Sequence, residues 1–225
     1  MQKIFLEMDT TTLRSDLEAD IAKRTTNLTS MRTLASRYGF SQSDIDTINR
    51  CSFPIIYAEW EGFFVFAMSQ YLQSINQQSL TLDELNEQYY VLLCEKTYKQ
   101  LKDYPEKFNK KRNFLYNIKN FMRNTGTVSF LTTVNTESNL GYDVMNTILN
   151  LYKIEKLKDH ISNDAYSLKS KMTIFLDKRN GLAHGDPAAS ATTTDISDAI
   201  YLVELLMEHV KEHIIAAADA DAYHA

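Results

Sequence analysis

The chain has 225 residues, of which 44% are apolar, 11% aromatic and 24% charged, with 6 glycines and 3 prolines. That composition excludes a disordered chain, a collagen-like fibre and a linker-rich array. So few turn formers also leave a sandwich or barrel of many short strands without its joints. The formal net charge of -5 excludes a general electrostatic coat for nucleic acid, so any polyanion site has to be local.

Cys51 and Cys94 form no CxxC pair and lie in no Cys/His cluster, which argues against a zinc site or a disulfide scaffold. The first residues, MQKIFLEMDT, lack the basic start and apolar run of a signal peptide. No apolar stretch approaches the ~18 residues of a membrane span. A cytoplasmic, reduced protein without a cofactor is the expectation.

In chain order, the first predicted helix starts near Thr10 to Thr12, with Thr12 as its cap, carries Leu13, Leu17, Ile21, Leu28, Met31 and Leu34, and ends before Tyr38-Gly39. A long second helix starts near Ser43-Asp44 and repeats Ile45, Ile48, Phe53, Ile56, Trp60, Phe63, Phe64, Ala67, Tyr71 and Ile75 at helical spacing, with a kink expected at Pro54. A third follows Thr81 through Leu85, Tyr89, Leu92, Leu93 and Tyr98, closed by Tyr104-Pro105. The segment from Glu106 to Arg123 predicts a helix with Phe114, Leu115, Ile118, Phe121 and Met122 on its apolar side. Thr127 to Val134 is β-branched but too isolated to make a sheet, and reads as an extended connector. Asn139 is the predicted cap of a helix through Val144, Ile148, Leu149 and Tyr152. Another runs from about Asp164 through Leu168, Met172 and Phe175 to Arg179. The last is capped by Thr194 and carries Ile196, Ala199, Ile200, Val203, Leu206, Met207, Val210 and Ile214. The pattern predicts an all-α single domain over 1–225: a helical bundle of six or seven helices, with an N-terminal helix in 1–40, a core bundle in 41–218 and a frayed tail at 219–225.

Phosphate-binding glycine loops and HExxH are absent from the sequence. His209 and His213 stand four apart on the last helix, but with no Glu of an HExxH motif between them they read as a solvated helix face. The constellation that rises above background is Arg179-Asn180-Gly181-Leu182-Ala183-His184, followed by Gly185 and Asp186. The chain carries its own controls, since Arg112-Asn113 and Arg123-Asn124 have no His at that spacing.

Such a trio suits metal-free cleavage of RNA. A histidine titrating near ~6.5 can take the proton from a ribose 2′-hydroxyl or return one to the departing 5′-oxygen. A guanidinium offers a planar fork for the negative charge that builds on phosphate. Asn180 can hold the helix end or orient His184. Arg179 and His184 are five apart, about 140° on a regular helix, so a distorted turn at Gly181 and Gly185 is needed for them to converge. The structural alternative is that Arg179 satisfies carbonyls at a helix C-terminus, Gly181 ends the helix and His184 packs under a loop.

Three segments together resemble a known family: FLDKRNGLAHGD with its RNxxxH motif, YAEWEGFFVFAMSQYL from Tyr57 to Leu72, and TESNLGYDVMNTIL from Thr136 to Leu149. They are similar to prokaryotic HEPN domains of the MAE type, a likeness that spans about Ile45 to Val210. The resemblance implies an all-α bundle that usually forms a homodimer, with Arg/His pairs meeting in a composite cleft. It implies a metal-independent endoribonuclease leaving a 2′,3′-cyclic phosphate, often a toxin or anti-phage effector restrained by an antitoxin or a defence complex. Arg179 and His184 match its catalytic pair, Asn180 the polar residue beside the arginine, and Glu61 the polar position on the long helix. Trp60 and Tyr57 read as core. The rival expectation is a non-catalytic HEPN module that binds RNA or nucleotide or serves as an interaction subunit.

Between Lys107 and Arg123 six basic residues occur without an acid. Arg112, Tyr116, Lys119 and Arg123 share one helix face, with Lys111 beside it, and such a stripe can track RNA phosphates while the tyrosine stacks on a base. A solvated basic face is the plainer alternative.

Overall fold

The computed structural model describes residues 8–97, 106–137, 139–160 and 167–225. The predictions that rest on Tyr98, Tyr104-Pro105, Ser138 and Asp164 lie outside the described residues. Those described form seven α-helices: α1 (Thr10–Arg37), α2 (Gln42–Gln77), α3 (Gln88–Thr97), α4 (Phe108–Met122), α5 (Tyr142–Leu151), α6 (Leu168–Ala183) and α7 (Thr193–Asp219). Among the described residues there is no strand, only two isolated bridges, Thr81 with Thr127 and Leu85 with His224. The all-α bundle expected from the hydrophobic period is the fold.

Helix α2 is the axis: recurrence at three and four makes one apolar stripe, and the adjacent buried pairs Phe63–Phe64, Ala67–Met68 and Tyr71–Leu72 broaden it enough to meet several neighbours. Trp60, Phe63, Phe64, Ala67, Met68, Tyr71 and Leu72 are all fully buried, each large one contributing about 1.5–3 kcal/mol of burial. α2 packs against α1, α6 and α7, and α1 packs against α7. Pro54 sits inside α2 without ending it.

The helix starts lie a few residues earlier than the apolar stripes suggest. α1 is capped by Asp9, whose carboxylate accepts from the Thr12 N–H at 3.0 Å and from its hydroxyl at 2.6 Å. Ser41 and Thr192 cap α2 and α7 in reciprocal boxes with Asp44 and Asp195, displacing the predicted starts at Ser43 and Thr194. The reason is geometric. In α1 and α7 the first buried helical residues, Leu13 and Ile196, stand four positions beyond the cap, and Met8 and Ala191 just before it are buried as well, the arrangement of a hydrophobic staple.

Two further predictions are corrected. The third helix does not run from Thr81: Leu82–Glu84 is one 3₁₀ turn, closed by the Glu84 carboxylate accepting from the Thr81 N–H at 2.8 Å, and α3 starts only at Gln88. On α4 the apolar side is narrower than expected, since Phe114 is buried but Leu115 and Met122 are exposed.

The C-terminal tail does not fray. The helix runs to Asp219, and Tyr223 is fully buried. The Asn86 N–H donates to the Tyr223 carbonyl at 2.9 Å, and the Ala225 N–H to the Glu84 carbonyl at 3.1 Å. An apolar ring and two backbone bonds against the 3₁₀ turn outweigh the polar look of ADADAYHA, which holds its docking residue three places from the end.

The connector between α4 and α5 is an extended strap laid along α2. Asn76 bonds Phe130 through both its amide groups, at 2.7 and 3.1 Å. Thr136 then reaches Glu61, and Leu140 reaches Tyr57 and Trp60. From Asn76 to Glu61 fifteen helical residues rise about 22 Å, close to the ~20 Å that the six residues from Phe130 to Thr136 can span when extended, so this part of the strap keeps pace with α2 while using fewer than half the residues.

Candidate active site

Arg179 occupies the penultimate turn of α6, whose start is fixed by Ser167 as cap and by Asp159, which accepts from the Leu168 and Lys169 N–H groups. α6 lies on α2 through Phe175, whose ring is 5.6 Å from Phe53 and 6.3 Å from Tyr57. This packing carries Arg179 over Tyr57, with the guanidinium carbon 3.8 Å from the ring centroid. Its Nη2 donates to the Asn139 side-chain oxygen at 3.2 Å. Three stretches far apart in sequence therefore meet at one guanidinium.

Tyr57 and Trp60, read from the sequence as core, are buried, and both also grip the strap. The Leu140 N–H donates to the Tyr57 hydroxyl at 2.8 Å, and the Trp60 Nε1–H donates to the Leu140 carbonyl at 3.1 Å. Burial raises the Tyr57 hydroxyl above its usual range, against the lowering effect of the Leu140 bond; Glu61 pushes it up further and Arg179 draws it down. Glu61, one turn along α2 and half-buried, accepts from the Thr136 hydroxyl. Between Thr136 and Asn139, Glu137 sits in the left-handed region at φ 56° and its N–H donates to the Asn135 side chain at 3.0 Å. Sequence reasoning missed Asn139 and Tyr57 as site residues. Asn139 was the predicted cap of α5, but the cap is Gly141, and the amide is turned to Arg179 instead.

The end of α6 differs from both expectations. The helix passes regularly through Gly181 to Ala183, so Gly181 neither ends nor distorts it. Gly181 serves close packing, since a Cβ there would stand 3.1 Å from the Ala189 Cβ. The terminating residue is Gly185 at φ 76°. The Asp186 N–H donates to the Gly181 carbonyl at 2.9 Å and the Gly185 N–H to the Leu182 carbonyl at 3.4 Å, the Schellman pattern. His184 is the exposed C-cap, its N–H donating to the Asn180 carbonyl at 3.0 Å. The Asn180 side chain is half-buried. With the helix regular, Arg179 and His184 leave it about 140° apart: one faces α2 and the strap, the other solvent.

Arg112, Tyr116, Lys119 and Arg123 stand exposed on or at the end of α4, and Lys111 is half-buried. On α7, His213 Nδ1 lies 2.7 Å from the Glu155 carbonyl, and burial together with the neighbouring His213 lowers the pKa of His209. Among the described residues no group of three or more His, Cys, Asp or Glu is arranged to hold a metal ion, and no helix is long and apolar enough to cross a membrane.

An all-helical bundle with RNxxxH at the end of a helix packed on a long aromatic one defines a HEPN-type domain. The family model for HEPN_MAE_28990-like HEPN matches residues 13–223, and the chain belongs to that family. No curated protein and no solved structure matches it.

Proposed function

We propose that the chain is a metal-independent endoribonuclease that works as a homodimer, with His184 as acid/base and Arg179 stabilising the phosphate. The observation that carries this reading is the setting of Arg179, a guanidinium stacked on Tyr57 and bonded to Asn139 five residues before an exposed histidine. The neutral His184 imidazole takes the 2′-hydroxyl proton, and the 2′-oxygen attacks phosphorus. The bond to the 5′-oxygen breaks as a protonated histidine returns a proton to it. The products are a 2′,3′-cyclic phosphate and a 5′-hydroxyl. Because the two side chains leave α6 on different faces, one chain alone makes a thin site, and a two-fold pairing supplies a second Arg and His around one phosphate. Asn180 holds the helix end through its carbonyl, and Glu61 keeps the strap in place through Thr136. The α4 stripe of Lys111, Arg112, Tyr116, Lys119 and Arg123 binds the RNA backbone. A toxin or anti-phage role in the cytoplasm, restrained by an antitoxin or defence-complex partner, follows from the family resemblance.

A second reading, a non-catalytic module that binds RNA or nucleotide or serves as an interaction subunit, is favoured by the same engagement of Arg179 if its role is to lock α6 onto the strap. The deciding assay is cleavage of mixed RNA in EDTA by wild type, Arg179→Ala and His184→Ala, with product ends mapped. Loss in both variants and cyclic-phosphate ends in wild type support the enzyme. Activity that survives both substitutions, or that requires a divalent metal, refutes it. Neutralising Arg112, Lys119 and Arg123 is expected to weaken RNA binding and flatten its salt dependence; an unchanged salt slope removes the stripe from the proposal.

A further inference from the structure

We infer that Tyr57 and Asn139 form a preformed seat for the Arg179 guanidinium and are positioning residues for the proposed cleavage, an inference that rests on the reading of Arg179 as the phosphate-stabilising group. An unrestrained arginine has much rotamer entropy to lose on ordering, and a charge aimed in advance at the developing phosphate charge avoids that loss during reaction.

The seat has a face and an edge. The Tyr57 ring takes the flat face of the guanidinium at 3.8 Å, and Asn139 takes an in-plane N–H at 3.2 Å. Each wall is itself held from behind. Tyr57 is only 6% exposed, its hydroxyl accepts from the Leu140 N–H, and its ring lies against Phe175. The Asn139 backbone N–H donates to the Thr136 carbonyl at 3.2 Å, its carbonyl accepts from the Gly141 N–H at 2.8 Å, and the Thr136 hydroxyl is in turn held by Glu61. α2 thus supplies one wall directly and fixes the strap that supplies the other, while α6 supplies the cation. A planar fork satisfies both walls at once; an ammonium, having no flat face, does not.

Asn139→Ala and Tyr57→Leu are therefore expected to lower kcat for RNA cleavage by about 10–100-fold with KM changed less than about 3-fold, the signature of a misplaced transition-state group. Arg179→Lys is expected to be as inactive as Arg179→Ala. The independent readout is nitrogen NMR of the Arg179 guanidinium. Rotation about its Cζ–Nε bond is expected to be slow in wild type and averaged in Asn139→Ala. Unchanged kcat in Asn139→Ala, or fast rotation in wild type, overturns the seat. If wild type itself cleaves no RNA, the catalytic reading fails while the NMR comparison still decides the seat, slow rotation that Asn139→Ala releases supporting it and equal rotation in the two overturning it. Should Tyr57→Leu not fold, Asn139→Ala, on the strap, carries both readouts.

Discussion

Tyr57→Phe removes one oxygen from a buried junction and leaves everything apolar in place, so its cost can be worked from a single bond. The hydroxyl accepts from the Leu140 N–H at 2.8 Å, and Leu140 is fully buried. Phenylalanine keeps the ring against Phe175 and under Arg179, so no cavity larger than an oxygen opens. What remains is a backbone donor with neither partner nor water, which costs about 1–3 kcal/mol, a sizeable part of the 5–15 kcal/mol by which a typical domain is stable. Urea unfolding is expected to show a lower midpoint at an unchanged slope, and the Leu140 amide is expected to lose protection from hydrogen exchange. Tyr201→Phe, at an exposed tyrosine, is the control and stays within about 0.5 kcal/mol. A Tyr57→Phe cost below about 0.5 kcal/mol with Leu140 protection retained refutes the claim that this hydroxyl pins the strap.

Tyr223→Ala is expected to destabilise by about 3–5 kcal/mol in the same assay, as for a fully buried aromatic; under about 1 kcal/mol means that residues 220–225 do fray. Gly185→Ala forces an L side chain into the left-handed region at φ 76° and is expected to cost about 1–2 kcal/mol, whereas Gly39→Ala, where a Cβ meets nothing within 4 Å, is expected to cost less. Stability also falls in acid with a definite sign. The Arg14 hydrogen bond, against a burial effect and aided by Lys211, holds Glu212 below its ordinary 4.5. Burial alone pushes Asp195 up, but Lys178 and Thr192 together bring it below 3.8. Both carboxylates therefore contribute fully above about pH 4.5, and lose their contribution as pH falls through their depressed values. Thermal melts between pH 2 and 7 are expected to show Glu212→Gln less stable at pH 7 and equal to wild type at pH 2; parallel curves refute this.

Local rules carried the sequence a long way. The period of α2 and RNxxxH itself are written in neighbouring residues, because apolar stripes are interactions across three or four positions; the caps are as local, yet Ser43 and Thr194 stand so near the true caps Ser41 and Thr192 that the pattern alone sets both starts too late. A helix over Leu168 to Arg179 was legible for the same reason. Its last turn was less so: Gly181 and Gly185 look alike in sequence, and only the backbone shows that one packs against Ala189 while the other takes the positive φ.

What only the tertiary structure decided is where the side chains of the site point. Asn139 is 40 residues from Arg179, and Leu140 is 83 from Tyr57 and 80 from Trp60. No periodicity relates such pairs. A buried tyrosine has an apolar ring that sequence assigns to the core and a hydroxyl whose partner depends on which backbone passes it. An asparagine before a helix is a cap by local rules, yet becomes an arginine ligand when a strap lies along α2. The sequence alone determined an all-helical chain with an arginine and a histidine five apart and a net charge of -5 that forbids a general coat for RNA. The packing of α6 on α2 determined that the arginine faces inward onto a tyrosine while the histidine faces solvent, because a regular helix separates five residues by about 140° whatever those residues are.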